Sequence, residues 1–179
     1  MHTRLAVLAI LVIVITPSLA RAQSPIQAGA WTVSPMLGVA FVPDADTTLS
    51  VSGAVDYHLT DVLALEGELG HLVDMVSDNA DVDASLTTAH ASLLYIFDSD
   101  FAARPYVAAG IGAGHYSIDV RAPRDNFDTT ELGFNLGAGV IVPLDSRLGV
   151  RGDFRYFKHI DNVPSAWRFS GGITFQIAN

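Results

Sequence analysis

Cysteine is absent from the 179-residue chain, so neither a disulfide nor a thiolate-bound metal holds this fold together. Helix-length apolar runs are missing as well. The longest, Leu5 to Ile15, falls short of the roughly 20 residues a membrane-crossing helix needs. Basic residues are scarce. Setting aside Arg4 and Arg21, which lie in the N-terminal segment, only eight of the ten remain against 19 carboxylates, a net charge near −11. That balance argues against nucleic acid as a partner and against electrostatic docking onto an anionic lipid surface.

What the N-terminus does contain is an export signal. Arg4 supplies the positive start, Leu5 to Ile15 the apolar centre, and Ala20-Arg21-Ala22 the small-residue cleavage site. Pro17 and the small residues after it favour cleavage before Gln23. Residues 1–22 are therefore predicted to be a secretory signal peptide. Residues 23–179, a mature chain of 157, are predicted to form one domain. Export usually permits disulfides, so a fold without them needs another source of closure.

The rest of the chain alternates. From Trp167 to Ile177, Trp167, Phe169, Gly171, Ile173, Phe175 and Ile177 fall on one side, with Arg168, Ser170, Gly172, Thr174 and Gln176 on the other. A period of two means an extended strand with two unlike faces. The pattern recurs at Trp31–Phe41, Leu49–Leu59, Val62–Leu72, about Leu86–Phe97, Tyr106 to about Ile118, Glu131–Val142 and Leu148–Tyr156. Pro35 interrupts the first of these, because it lacks one ladder hydrogen bond. His71 and His115 land on the apolar face, which suggests local register changes there.

Connections alternate in length. Thr60-Asp61, Asp98–Arg104 and Asp145–Arg147 are short; Pro43–Thr48, Val73–Ser85, Asp119–Thr130 and Lys158–Ala166 are mostly longer and rich in Asp, Asn, Pro and Ser. Short turns on one side and long loops on the other describe an all-β, eight-stranded antiparallel up-and-down transmembrane β-barrel of the outer membrane of a Gram-negative-type bacterium. A soluble eight-stranded barrel would show the same alternation turned inside out. Mid-strand charges and crowded glycines on the polar face, with aromatics near strand ends (Trp31, Phe41, Tyr57, Tyr95, Phe97, Tyr106, Tyr156, Trp167 and Phe175), favour the membrane form.

Three stretches carry a family resemblance: Gly133–Val140 (GFNLGAGV), Pro105–Gly114 (PYVAAGIGAG) and the closing Gly171–Ile177 (GGITFQI). They resemble the OmpA-like small outer-membrane β-barrel superfamily across nearly the whole mature chain, without a peptidoglycan-binding domain after the barrel. The resemblance implies a scaffold that hosts structural proteins, adhesins, small pores and a few lipid-modifying enzymes. It also implies outer-membrane lipid, lipopolysaccharide and the barrel assembly machinery as partners of a monomer. Family members usually end in an aromatic residue; here Phe175 is followed by Gln176-Ile177-Ala178-Asn179, so that signal is shifted inward.

The inward face gathers charge. Asp56, Glu66, Glu68, Arg151 and Arg155 are predicted to form a luminal charge network, with Asp153 and Arg168 at its margin. Carboxylates and guanidinium groups can pair bidentately in a poorly hydrated interior. Such a network is either a static plug or the gate of a small-solute pore, and the plug is the simpler reading because barrels of this size are filled by side chains. Lipid A deacylase barrels carry His-x-Ser near the end of strand seven. The matching stretch here, His159-Ile160-Asp161-Asn162, has Asp in place of the nucleophile, so no catalytic residue is predicted. His159 then reads as a solvated loop residue. Asp78-Asn79-Ala80-Asp81-Val82-Asp83 lacks the Gly and the bidentate Glu of a calcium loop. Asp44, Asp46, Asp74, Asp119, Asp125 and Asp128 read as solvated loop carboxylates. The six histidines show no ligand spacing on a shared face, so no metal or cofactor is predicted. The expected role is that of a non-enzymatic outer-membrane protein, structural or surface-binding.

Overall fold

A computed structural model describes residues 26–43, 47–73, 82–99, 101–121, 124–160 and 163–178. Its strands are β1 (Trp31–Phe41), β2 (Thr48–His58), β3 (Leu63–Val73), β4 (Val82–Ile96), β5 (Arg104–Arg121), β6 (Arg124–Pro143), β7 (Leu148–His159) and β8 (Ala166–Ala178). Each pairs antiparallel with its sequence neighbour, and β1 closes on β8 to complete the barrel. Closure leaves no sheet edge, so the ladder satisfies its own backbone groups and can sit in lipid without disulfides.

Which face points where identifies the surrounding solvent. Arg151, Arg155 and Arg168 are wholly buried, whereas Ile111, Leu132 and Leu69 are 74%, 69% and 66% exposed. A soluble barrel would reverse that order; this one is turned out toward hydrocarbon. Aromatic pairs frame the apolar band. Trp31 lies against Tyr57 near the short-turn end, with ring centres 4.8 Å apart, and Tyr156 against Trp167 near the other end, 4.4 Å apart. Tyr106 does not join them. The inward residues of β5 have even numbers, so Tyr106 points into the lumen and is 1% exposed. It pairs with Gly139, where a Cβ would come within 2.3 Å of the phenol.

Pro35 shapes the closing seam. Its pairing to β2 continues through Gly53. The β1–β8 ladder, in contrast, has partners at Val33 and Met36 but none at Ser34 or Pro35. Inside the barrel, Ser34 Oγ and Thr174 Oγ1 meet at 2.9 Å across this gap. The inner turns are fastened by side chains: Thr60 Oγ1 accepts the Val62 and Leu63 N–H groups, and Asp145 Oδ1 accepts those of Arg147 and Leu148.

Two expectations are corrected at the opposite rim. The segment Asp119–Thr130 is no open loop, since β5 and β6 stay in register out to Arg121 and Arg124. Above the membrane both faces of a ribbon can be wet, so hydropathy no longer marks a strand there. The register does not shift at the two outward histidines either. His71, Thr87, His115 and Thr130 form one cross-strand row, with His71 Nδ1 2.9 Å from Thr87 Oγ1 and His115 Nδ1 2.8 Å from Thr130 Oγ1. The next outward row toward the membrane centre is Leu69, Ala89, Ala113 and Leu132. The histidines are therefore a polar upper border of the apolar wall.

Candidate functional site: a sealed luminal charge network

Inward positions of β2, β3, β7 and β8 bring the predicted charges together. Arg151 reaches Glu66 Oε2 at 2.5 Å, Asp56 Oδ2 at 3.2 Å and Asp153 Oδ2 at 3.3 Å. Arg155 lies 2.7 Å from Glu66 Oε1, an ion pair too poorly aligned for a hydrogen bond, and donates through Nε to Asp153 Oδ1 at 3.1 Å. Arg168 grips Glu68 bidentately at 2.8 and 2.6 Å, the geometry that suits a planar guanidinium best. Its guanidinium carbon also lies 4.9 Å from the centre of the Phe157 ring.

Asp153 and Arg168 stand inside the network and not at its margin. Asp153 lies between Arg151 and Arg155 on one inward row, so both long side chains bend to its level. Its carboxylate is also 3.7 Å from Arg168 Nη2. Arg155 and Arg168 are directly paired across β7 and β8, where like charges repel. One guanidinium therefore turns to Asp153 and Glu66, the other to Glu68.

Several partners were not singled out from the sequence. Tyr106 donates to Asp153 Oδ2 at 2.5 Å and accepts from Arg151 Nε at 2.8 Å, linking acid and base through one hydroxyl. Thr32 donates to Asp56 at 3.0 Å. Ser92 and Asn135 bond each other across the intervening β5, with Asn135 Nδ2 3.0 Å from Ser92 Oγ. They meet because the residue between them in the row is Gly110, whose Cβ would come within 2.3 Å of Ser92 Oγ. Strand parity was the available signal for Tyr106, since it shares the face of Gly110, Gly112 and Gly114.

Apolar clusters close both ends. Toward the short-turn side Ile26, Ala64, Leu94, Ile96, Tyr106, Ala108 and Ile141 pack together. Ile26 arrives there because the chain before β1 folds back at Gly29, whose φ of 84° suits glycine; the Gly29 N–H then bonds His58 O at 2.7 Å. On the far side Ala40, Leu72, Leu86, Val163 and Ala166 form a second cluster with Tyr116 against it. The charges lie between two apolar stoppers.

His159 is the last residue of β7 and 1% exposed, which corrects its reading as a solvated loop residue: odd-numbered residues of β7 all face the lumen. Asp161 and Asn162 fall outside the described residues, as do Asp44, Asp46, Asp74, Asp78 and Asp81 and the side chains of Asp83, Asp119 and Asp125. Asp128 is exposed at the rim, 4.0 Å from His115 Nε2. Among the described residues no three His, Cys, Asp or Glu side chains gather as a metal cluster.

Residues 6–175 match the family described as the outer membrane protein beta-barrel domain. No curated protein matches the chain. Among solved structures, Neisserial surface protein A superposes with a TM-score of 0.68 at 16% identity, covering 84% of this chain and 98% of that one. The N-terminal β-barrel domain of Pseudomonas aeruginosa OprF gives 0.65 at 18% identity, with coverage of 84% and 98%. Ail, the attachment invasion locus protein of Yersinia pestis, gives 0.57 at 12% identity, with coverage of 83% and 100%. At these identities the likeness is one of fold.

Proposed function

This chain belongs to the outer membrane protein beta-barrel domain family, and from that premise we propose that it is a sealed, non-enzymatic barrel that supports the outer membrane and meets lipopolysaccharide with its wall and loops. The observation that carries this reading is the filled lumen. A guanidinium–carboxylate network lies between two apolar clusters, and a solute would have to displace all three layers. Flux through such an interior would require breaking buried ion pairs, each costly to separate.

Catalysis finds no support at the place where lipid-modifying relatives of this scaffold keep their serine. Residue 161 is Asp, and an ionised carboxylate there provides no hydroxyl for acyl transfer. The surface suits lipopolysaccharide better. The row His71, Thr87, His115 and Thr130 borders the apolar wall, at the height where acyl chains give way to sugar and phosphate. Acidic loops above it are suited to the divalent cations that bridge such head groups.

Single-channel recording in planar bilayers tests the proposal. The expected record is silent under conditions in which an open porin conducts. Stable openings above background, altered by Glu66→Gln or Arg151→Gln, would replace it with a small-solute pore gated by the same charges.

A further inference from the structure

Toward the outer end of the lumen lie two histidines that the network does not use. His90 and His159 are 5% and 1% exposed, and their ring centres are 5.9 Å apart. Register explains how residues so distant in sequence meet. They belong to one cross-strand row, His90, Gly112, Gly133 and His159, and the two positions between them carry no side chain. A Cβ at Gly112 would approach His90 Cδ2 to 2.5 Å, one at Gly133 would approach His159 Cδ2 to 2.7 Å, and one at Gly114 would reach His159 Nε2 at 2.6 Å. The glycines hollow out the wall around both imidazoles.

One of the two rings has a partner that fixes its proton. His159 Nδ1 faces the Pro164 carbonyl at 3.4 Å. That oxygen can only accept, so the proton is assigned to Nδ1 and the Nε2 lone pair is left to the lumen, the orientation that outer partners impose on metal-binding histidines. His159 Nε2 and both nitrogens of His90 are buried without a hydrogen-bond partner among the described residues, which native interiors seldom tolerate. Glu68 is the direct neighbour of His90 in the same row, with its carboxylate held by Arg168.

We propose that His90 and His159 form a binding site for one imidazole-preferring transition-metal cation, zinc or copper. Two imidazoles holding a cation tetrahedrally, about 2.0–2.1 Å from each nitrogen, have ring centres about 5 Å apart, so rings 5.9 Å apart need to close by less than about 1 Å. With two protein nitrogens and no third ligand among the described residues, water completes the coordination. Nitrogen donors select against calcium and magnesium, which require oxygen.

Equilibrium dialysis of the untagged, folded mature chain in detergent against zinc or copper chloride tests the site, together with nitrogen-15 NMR of the histidine rings. One metal per barrel is expected, with the His90 and His159 resonances moving and those of His71 and His115 still. His90→Gln and His159→Gln should each weaken binding by more than about tenfold, while His71→Gln leaves it unchanged and excess calcium does not compete. Heat-modifiable gel migration checks that each variant has folded. Where one has not, the wild-type ring resonances decide. Unmoved His90 and His159 signals at saturating zinc would mean that the pocket holds water only. Binding that survives the His90→Gln substitution in a folded barrel would place the metal elsewhere. Either result overturns the site.

Discussion

The two halves of the lumen are built on opposite rules. In the inner half every guanidinium has a carboxylate, and Tyr106 and Thr32 add hydroxyl bonds to Asp153 and Asp56. In the outer half Ser50, Ser52, Thr88 and His90 are buried with no hydrogen-bond partner among the described residues. A barrel of one width, made from one alternating pattern, thus contains a section held by ion pairs, where only single atoms such as Asp56 Oδ1, His58 Nδ1 and Glu66 Oε1 lack a hydrogen bond, and a section where whole side chains do. The difference separates what holds the barrel shut from what leaves room for something else, because paired charges rigidify whereas unpaired polar groups await water or a ligand.

Removing a charge from the paired half should have the largest effect. Arg151 holds Glu66 and Asp56 and accepts no help from solvent, being wholly buried. Arg151→Ala strands those carboxylates and is expected to lower stability by about 3–5 kcal/mol. Urea unfolding from lipid vesicles measures it. A loss similar to that of a loop change such as Asp81→Ala would show that the inner half is hydrated and that the contrast between the halves is false.

A smaller loss is expected where one hydroxyl is removed and the charges stay. Tyr106→Phe keeps the ring beside Gly139 but deletes the bond to Asp153 and the one from Arg151 Nε. Hydrogen bonds to charged groups contribute about 1.5–3 kcal/mol, and the same unfolding measurement should fall in that range. No change would mean that Asp153 finds full compensation from its three arginines.

The strands, their faces and the charged members of the network were legible in the sequence because lipid enforces a period of two wherever a strand crosses it. Counting along strands puts Asp153 and Arg168 at the margin because it ignores how far an arginine side chain bends. Strand-end position points Tyr106 to the aromatic border, whereas its parity turns it inward. The β5–β6 ribbon was missed for the reason that the inner strands were found: outside the bilayer nothing forces the two faces to differ. The meeting of His90 and His159 was invisible for a further reason. It depends on which residues of β5 and β6 share their row, and that register is set by three successive hairpin pairings, which periodicity within one strand does not specify.

The smallest effect, and the sharpest contrast with Arg151, belongs to His90. Its two nitrogens bond nothing among the described residues, and its ring packs on Phe157 with centres 5.0 Å apart. Leucine has a similar volume and no polar atoms to strand. In vesicles treated with chelator, His90→Leu should therefore change stability by less than about 1 kcal/mol, in either direction, since deleting an unpaired polar group forfeits no bond. Zinc then separates the two forms. At a concentration about 100-fold above its dissociation constant a single-site ligand adds about 2.7 kcal/mol to the folded state, and that gain should appear in the wild-type barrel and not in the variant. A large loss in chelator would instead show that ordered water already occupies the histidine row and bonds it as firmly as the chain bonds Arg151, leaving the two halves alike.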